Sequence, residues 1–177
     1  MARRALSLSK VYGLLEPGPV VLLTTAHDGH RDIMALSWHT MMEFEPPLVG
    51  CVVSHRNHSF DLLKATRECV LNLPSVDLAE QVVGCGNTSG RRVDKFARFG
   101  LTAKPASRVG APLIVECFAN LECRVVDTRL VSKYCFFILE VVAAWRDATL
   151  PSHTIHHLGR GEFEVSGEHL KLKSKMK

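Results

Sequence analysis

Residues 20–38, Val20-Val-Leu-Leu-Thr-Thr-Ala26, His27-Asp-Gly-His30 and Arg31-Asp-Ile-Met-Ala-Leu-Ser-Trp38, decide how the chain folds. The first seven are β-rich. Asp28-Gly29 is a strong hairpin signal, because a type I′ turn needs two successive residues that tolerate positive φ. Residues 31–38 then read as the return strand, with Ile33, Ala35 and Ser37 on one face and Met34, Leu36 and Trp38 on the other. Both faces are largely apolar, so both are expected to be covered.

Working outward, Pro46-Pro47 breaks the chain and residues 48–53 read as a third strand. Phe60 and Leu63 stand at helical spacing, which predicts a helix over 60–67 with Asn57, His58 and Ser59 as its polar start. Residues 69–73 are strand-like and stop at Pro74. Ser75 is expected to cap a helix through Val83, closed by Gly84 and Gly86. A short helix over 93–99 ends at Gly100. β signals follow at 113–116, 120–128 and 134–145, and 146–153 reads as a linker. Leu121, Cys123 and Val125 alternate with Glu122 and Arg124, the pattern of a half-solvated antiparallel strand. Strands outnumber helices and no βαβ alternation occurs. The expectation is a mainly antiparallel β-barrel with helices across its ends.

The 177 residues suit one domain spanning 1–177, with 1–10 and 171–177 as frayed tails. Hydrophobic residues make up 46% and charged residues 23%, which excludes a disordered chain. No apolar run reaches the ~18–20 residues that cross a bilayer, and Lys10 and Glu16 interrupt any leader-like core, so a cytoplasmic protein is expected. Arg3, Arg4, Lys171, Lys173, Lys175 and Lys177 take six of the 22 basic residues, leaving 16 against 18 acidic ones. The body is slightly acidic and carries no nucleic-acid module. The six cysteines form no CxxC pair and read as reduced, buried thiols, with Cys85 set apart in a glycine-flanked loop where it is open to reaction.

Three constellations carry possible chemistry. Ser54-His-Arg-Asn-His-Ser59 offers a guanidinium, neutral donors and the free N–H groups of a helix start, the combination that offsets the desolvation of a phosphate; the same residues also read as a capped, exposed helix start. Met34 to Thr40, followed by Glu45-Pro-Pro47, offers small and hydroxyl side chains at a strand end with Trp38 as an aromatic wall; a core strand anchored by Trp38 is the other reading. Asn87 to Phe96 is a polar, cationic, glycine-containing loop able to close over an anion, or a surface loop whose Phe96 and Phe99 face the core. His156-His157 has no partner at ligand spacing, so no metal is expected. GxSxG, GxGxxG and GxxxxGK[ST] are absent.

Taken in order, these segments resemble the flavin reductase-like family of FMN-binding split barrels, the group that includes flavoredoxin-type proteins. The resembling pieces are Met34-Ala-Leu-Ser-Trp38 with Glu45-Pro-Pro47, Ser54 through Ser59, Cys69-Val-Leu-Asn-Leu-Pro74, Ser89-Gly90 with Asp94-Lys-Phe96, and Ala111-Pro-Leu-Ile114 with Leu121-Glu-Cys123. The resemblance implies a six-stranded antiparallel split barrel with short flanking helices, a homodimer, and FMN held noncovalently near the interface. It sets the isoalloxazine against Ala35, Leu36, Ser37, Trp38, His39 and Thr40. It sets the phosphate and ribityl chain against Ser54, His55, Arg56, Asn57, His58 and Ser59, with Asn72, Ser89, Gly90 and Lys95 as further contributors. Where relatives commonly carry Thr after the first Met, this chain has Ala35, so that hydroxyl is missing. The implied activity is hydride transfer from NADH or NADPH to flavin, which then serves free flavin, oxygen or a partner protein, with no catalytic acid or base and His39 or His58 tuning flavin charge. A non-catalytic FMN electron carrier and a pyridoxamine-phosphate-oxidase-type oxidase are the alternatives.

Overall fold

A computed structural model describes residues 4–11 and 18–173 of the chain. A two-residue strand, β1 (Arg4–Ala5), precedes the hairpin β2 (Val21–His27) and β3 (His30–Leu36). The turn between them has Asp28 at φ 49° and Gly29 at φ 78°, the geometry that their identities anticipate. Then come β4 (His39–Phe44), β5 (Pro47–Val52), helix α1 (His58–Thr66), β6 (Glu68–Leu73), α2 (Ala79–Asn87) and α3 (Lys95–Arg98). The remainder comprises β7 (Ala103–Lys104), β8 (Leu113–Ile114), β9 (Ala119–Asp127), α4 (Val131–Tyr134), β10 (Phe136–Arg146) and the hairpin β11 (Ile155–Gly159) and β12 (Glu162–Val165).

The main sheet is antiparallel, in the order β3-β2-β6-β9-β10-β5-β4, with β1 pairing the far end of β10. Six of its eight strands are those read from sequence. β4 and β1 are the additions, and 113–116 contributes instead to the small β7–β8 pair. β4 escaped notice because four of its six residues are exposed and no buried alternation marks it. Arg4 and Ala5 pair with Arg146 and Trp145, so this part of the expected N-terminal tail is tied to the sheet. Residues 1–3 and 174–177 of the expected tails lie outside the described residues.

The two-faced reading of 31–36 holds. Met34 and Leu36 join Val21, Leu23, Leu71 and Phe137 in the barrel interior, whereas Ile33 joins Leu22, Val82, Phe96 and Ile114 beneath α2 and α3. Burying a Leu or Ile side chain contributes roughly 1.5–3 kcal/mol, so covering both faces fixes this hairpin firmly. Trp38 departs from the pattern. β3 ends at Leu36, and Trp38 lies beyond it with 72% of its surface exposed, so it anchors no core.

Other expectations are corrected. Gly84 and Gly86 do not end a helix but lie inside α2. A Cβ on Gly84 would strike the Phe99 ring, so Gly84 marks a close approach, whereas one on Gly86 would make only ordinary contact with the Ala35 Cβ at 3.5 Å. Cys85 is consequently helical and buried, not in a loop. Tyr134 ends α4, and Cys135 at φ 55° turns the chain into β10. Glu122, read as solvated, is fully buried. Its carboxylate accepts from the Ser107 N–H and hydroxyl, the Arg108 N–H and the Trp145 indole. Burial opposes its charge, yet those donors outweigh it and hold the carboxyl below its ordinary range. Among the described residues no helix is long and apolar enough to cross a membrane.

Candidate functional site

The chemistry-bearing segments converge on the outer face of β3, where α1 begins and the chain leaving α2 returns. A cavity of about 250 Å³ opens there. Arg56, Asn57 and His58 form one wall, residues 87–90 the opposite one, and Asp32, Ala35 and Lys95 lie along the floor.

Its donors are open. Asn57 occupies the N-cap position of α1 with extended backbone (φ −80°, ψ 141°), but its side chain makes no capping hydrogen bond. The first-turn N–H groups of this nine-residue helix therefore lack a side-chain acceptor, and the positive end of its dipole faces the cavity. The Arg56 guanidinium has no ion-pair or hydrogen-bond partner among the described residues; only its backbone N–H is engaged, by Ser54 Oγ at 3.3 Å. His58 Nδ1 is buried without a partner. A guanidinium, a helix start and an orphaned ring nitrogen around one small cavity form a donor set that suits a phosphate monoester.

Beneath these donors lies a closed network. Lys95 Nζ is 3.2 Å from Asp32 Oδ1 and donates to the Ile33 carbonyl, while Ser59 Oγ donates to Asp32 Oδ2 at 2.7 Å. Gly90 runs so close that a Cβ there would collide with the Asp32 carboxylate. Nearby, Asp94 caps α3 by accepting from the Phe96 and Ala97 N–H groups, and its hydrogen bond with Arg31 is the main reason its carboxyl is held below the usual range.

Ala35, Gly86 and Asn87 also line a second, larger cleft of about 540 Å³. Val20, Val82, Val83 and Leu36 make its wall apolar. Ser37 and the β11–β12 hairpin, through His157, Arg160, Gly161 and Phe163, complete it. A small cationic cavity adjoining an apolar cleft accommodates a molecule with a phosphorylated tail and a flat ring.

Residues 14–163 match the flavin reductase-like domain. The chain belongs to that family. The flavin reductase-like chain is 34% identical to protein YddH of Escherichia coli over 170 residues, 88% of this chain and 90% of that one. It is 31% identical to a Pyrococcus abyssi protein over 132 residues, 75% and 76% of the two lengths. Among solved structures it resembles the FMN-binding domain of a flavin reductase-like enzyme from Shewanella baltica (TM-score 0.91, 24% identity, 97% and 98% coverage). It also resembles the flavoredoxin of Desulfovibrio vulgaris (TM-score 0.81, 22% identity, 89% and 91% coverage). These two likenesses show the shared split-barrel fold.

Within this flavin reductase-like domain, the structure brings together Ala35, Arg56, Asn57, His58, Ser89, Gly90 and Lys95 at the first cavity, and Leu36 and Ser37 with Ala35 at the second. It does not bring in the others. Asn72 is fully buried and spent on the core, donating to the Leu22 carbonyl and Thr24 Oγ1 and accepting from the Ile114 N–H and Asn120 Nδ2. Ser59 is committed to Asp32, and Ser54 shapes the turn before α1. His55 is exposed, with Nδ1 3.6 Å from Cys135 Sγ. Thr40 is exposed on β4, and its hydroxyl donates to the Met41 carbonyl. His39 donates from Nε2 to the Pro19 carbonyl at 2.7 Å; burial lowers its pKa, so it is neutral near pH 7 and lines neither cleft.

Thr88 falls in the 87–96 loop read as able to close over an anion, whereas Asp32, Val82, Val83, Arg160 and Phe163 were missed and His157 was weighed only as a metal ligand. Asp32 had a signal: a lone carboxylate in a strand whose neighbours all face apolar cores requires a cation, and Lys95 is that cation. The hairpin residues had one as well, since Gly159-Arg-Gly161 is a turn sequence between two short alternating runs.

Proposed function

We propose that this chain binds FMN and passes reducing equivalents from NADH or NADPH through it to an acceptor. The observation that carries the reading is the uncapped start of α1, with the free Arg56 guanidinium and orphaned His58 Nδ1, opening beside an apolar cleft. The donor set fits a dianionic phosphate, and the cleft fits a flat heteroaromatic ring. Arg56, Asn57, His58 and the 88–90 backbone would hold the phosphate, and Ala35 to Ser37 would line the ring. The family and the FMN-binding Shewanella protein support this assignment.

FMN, held by Arg56, Asn57 and His58 at its phosphate and by Ala35 to Ser37 at its ring, would supply two-electron chemistry between NADH or NADPH and free flavin, oxygen or a partner protein. The protein's own groups bind, orient and exclude water; no side chain in either cleft is arranged as an acid–base pair. Of the two histidines considered for tuning, His58 lines the phosphate cavity and is the one retained. The larger cleft lies open past Arg160 and Gly161, which favours nicotinamide access over a carrier whose ring is shielded.

Homodimerisation is part of the proposal. Trp38 and, on edge strand β4, Met42 and Phe44 are exposed large apolar side chains, and a second copy covering them would protect the sheet edge. The test is to load purified protein with FMN, remove the excess, and follow NADH and NADPH oxidation in air. Rapid flavin-dependent oxidation supports the reductase. Bound FMN without nicotinamide oxidation refutes it in favour of the carrier, and oxidation of pyridoxamine phosphate in its place points to the oxidase.

A further inference from the structure

The two central turn residues of the β11–β12 hairpin share the positive-φ pair of β2–β3 but differ in composition, and the β11–β12 turn follows a register shift at Gly159. Asp28-Gly29 adopts φ 49° and 78°; Arg160-Gly161 adopts φ 52° and 83°. The first central position of such a turn favours Asn, Asp or Gly, whose short or absent side chains tolerate left-handed backbone. At β2–β3, whose turn lines neither cleft, the chain obeys this preference. At the hairpin that walls the apolar cleft it places an arginine there instead.

Arg160 is exposed at the tip of this hairpin. It makes no ion pair or hydrogen bond among the described residues, and it lines the cleft beside His157, whose ring rests on Phe163 at 5.2 Å between centroids. The cleft lining contains no carboxylate. An exposed guanidinium with no partner among the described residues, held at φ 52° on the wall of a partly apolar cleft, is available to an external anion.

We infer that Arg160 is a specificity residue that receives a phosphate group of the nicotinamide donor; this rests on the flavin reading above. A nicotinamide entering the apolar cleft leaves its diphosphate, and in NADPH its 2′-phosphate, at the mouth, where a guanidinium can bind two oxygens at once. His157 stands beside it as a second donor. Arg160 exchanges neither electrons nor protons; NAD(P)H still gives up one hydride and leaves as NAD(P)+.

The test uses FMN-loaded protein and two variants, Arg160→Asn and Arg160→Lys. Asn suits the turn, so R160N should unfold at a higher temperature than the parent while binding NADP+ about tenfold more weakly by calorimetry, the scale of one charge-assisted contact. Its KM should rise to match, and its preference for dinucleotide over the phosphate-free donor 1-benzyl-1,4-dihydronicotinamide should fall by the same factor. R160K should recover part of the NADP+ affinity. A loss confined to NADPH assigns the contact to the 2′-phosphate, and an equal loss with NADH assigns it to the diphosphate. A more stable R160N with unchanged NADP+ affinity would overturn the inference and leave the flavin reading standing. Failure of the parent to bind FMN would overturn both.

Discussion

The Asp32 carboxylate and the Lys95 ammonium meet at 3.2 Å with side chains only 1% and 4% exposed, directly beneath the cavity that α1 opens. The contact is an ion pair without an aligned hydrogen bond, since Lys95 directs a proton to the Ile33 carbonyl and Asp32 takes its hydrogen bond from Ser59. The pair joins β3, the first turn of α1 and the start of α3. Removing one partner strands a buried charge. Lys95→Met is therefore expected to lower unfolding free energy by about 3–5 kcal/mol in urea titrations, and the double variant with Asp32→Asn to recover much of that loss. Equal losses in the single and double variants would show that the charges are not coupled.

Gly84 gives a second prediction. On helix propensity alone, Gly84→Ala should stabilise α2 by up to about 1 kcal/mol. The Phe99 ring occupies the space the new methyl group needs, and Phe99 packs against the core beneath α2. Overpacking of this kind costs roughly 1–3 kcal/mol, so a net loss is expected. A higher midpoint in thermal unfolding would contradict the packing described.

Glu122 makes stability depend on pH. Its carboxyl is held below its ordinary range in the folded chain, so its contribution is fully present above the unfolded pKa and disappears as pH falls through the folded one. Glu122→Gln is expected to cost about 2 kcal/mol at pH 7, by weakening charge-assisted hydrogen bonds to the 107–108 backbone and to Trp145. The gap between parent and variant should narrow below about pH 4, near the ordinary glutamate range. A gap that stays constant with pH would mean the carboxylate's charge is irrelevant.

The thiols separate by burial. Cys51, Cys69, Cys85, Cys117 and Cys123 are buried, and Cys135 is half-buried. Burial pushes Cys85 up to about 11, which removes it as a reactive thiolate near neutral pH. A bulky aromatic disulfide reagent should modify Cys135 quickly and the other five only on unfolding. Fast loss of the Cys85 peptide in mass spectrometry would reverse that order.

The barrel was legible where side-chain pattern and burial coincide. Asp28-Gly29 fixed the first hairpin, and the alternation of Ile33 and Ala35 against Met34 and Leu36 placed two cores on its two faces. Pattern failed where a residue's environment is set from elsewhere. Glu122 alternates as a solvated residue but is covered by the 107–108 loop, and nothing near it in sequence announces that cover. Gly84 and Gly86 carry the local signature of a helix stop, yet both lie inside α2, and Gly84 answers to Phe99 across the packing interface. Residues 56–58 were readable as a donor set because a helix start concentrates its donors locally. The place of the 157–163 hairpin on the second cleft was not, since it depends on the completed sheet, although Gly159-Arg-Gly161 reads as a turn.

The central claim is that the start of α1 with Arg56 receives a phosphate tail, and comparative titration with FMN and riboflavin tests it most directly. Flavin fluorescence should report FMN binding at least tenfold tighter than riboflavin, and Arg56→Gln should erase most of that preference while weakening riboflavin far less. Equal affinities for the two flavins, or a preference for FMN that survives R56Q intact, would contradict the account.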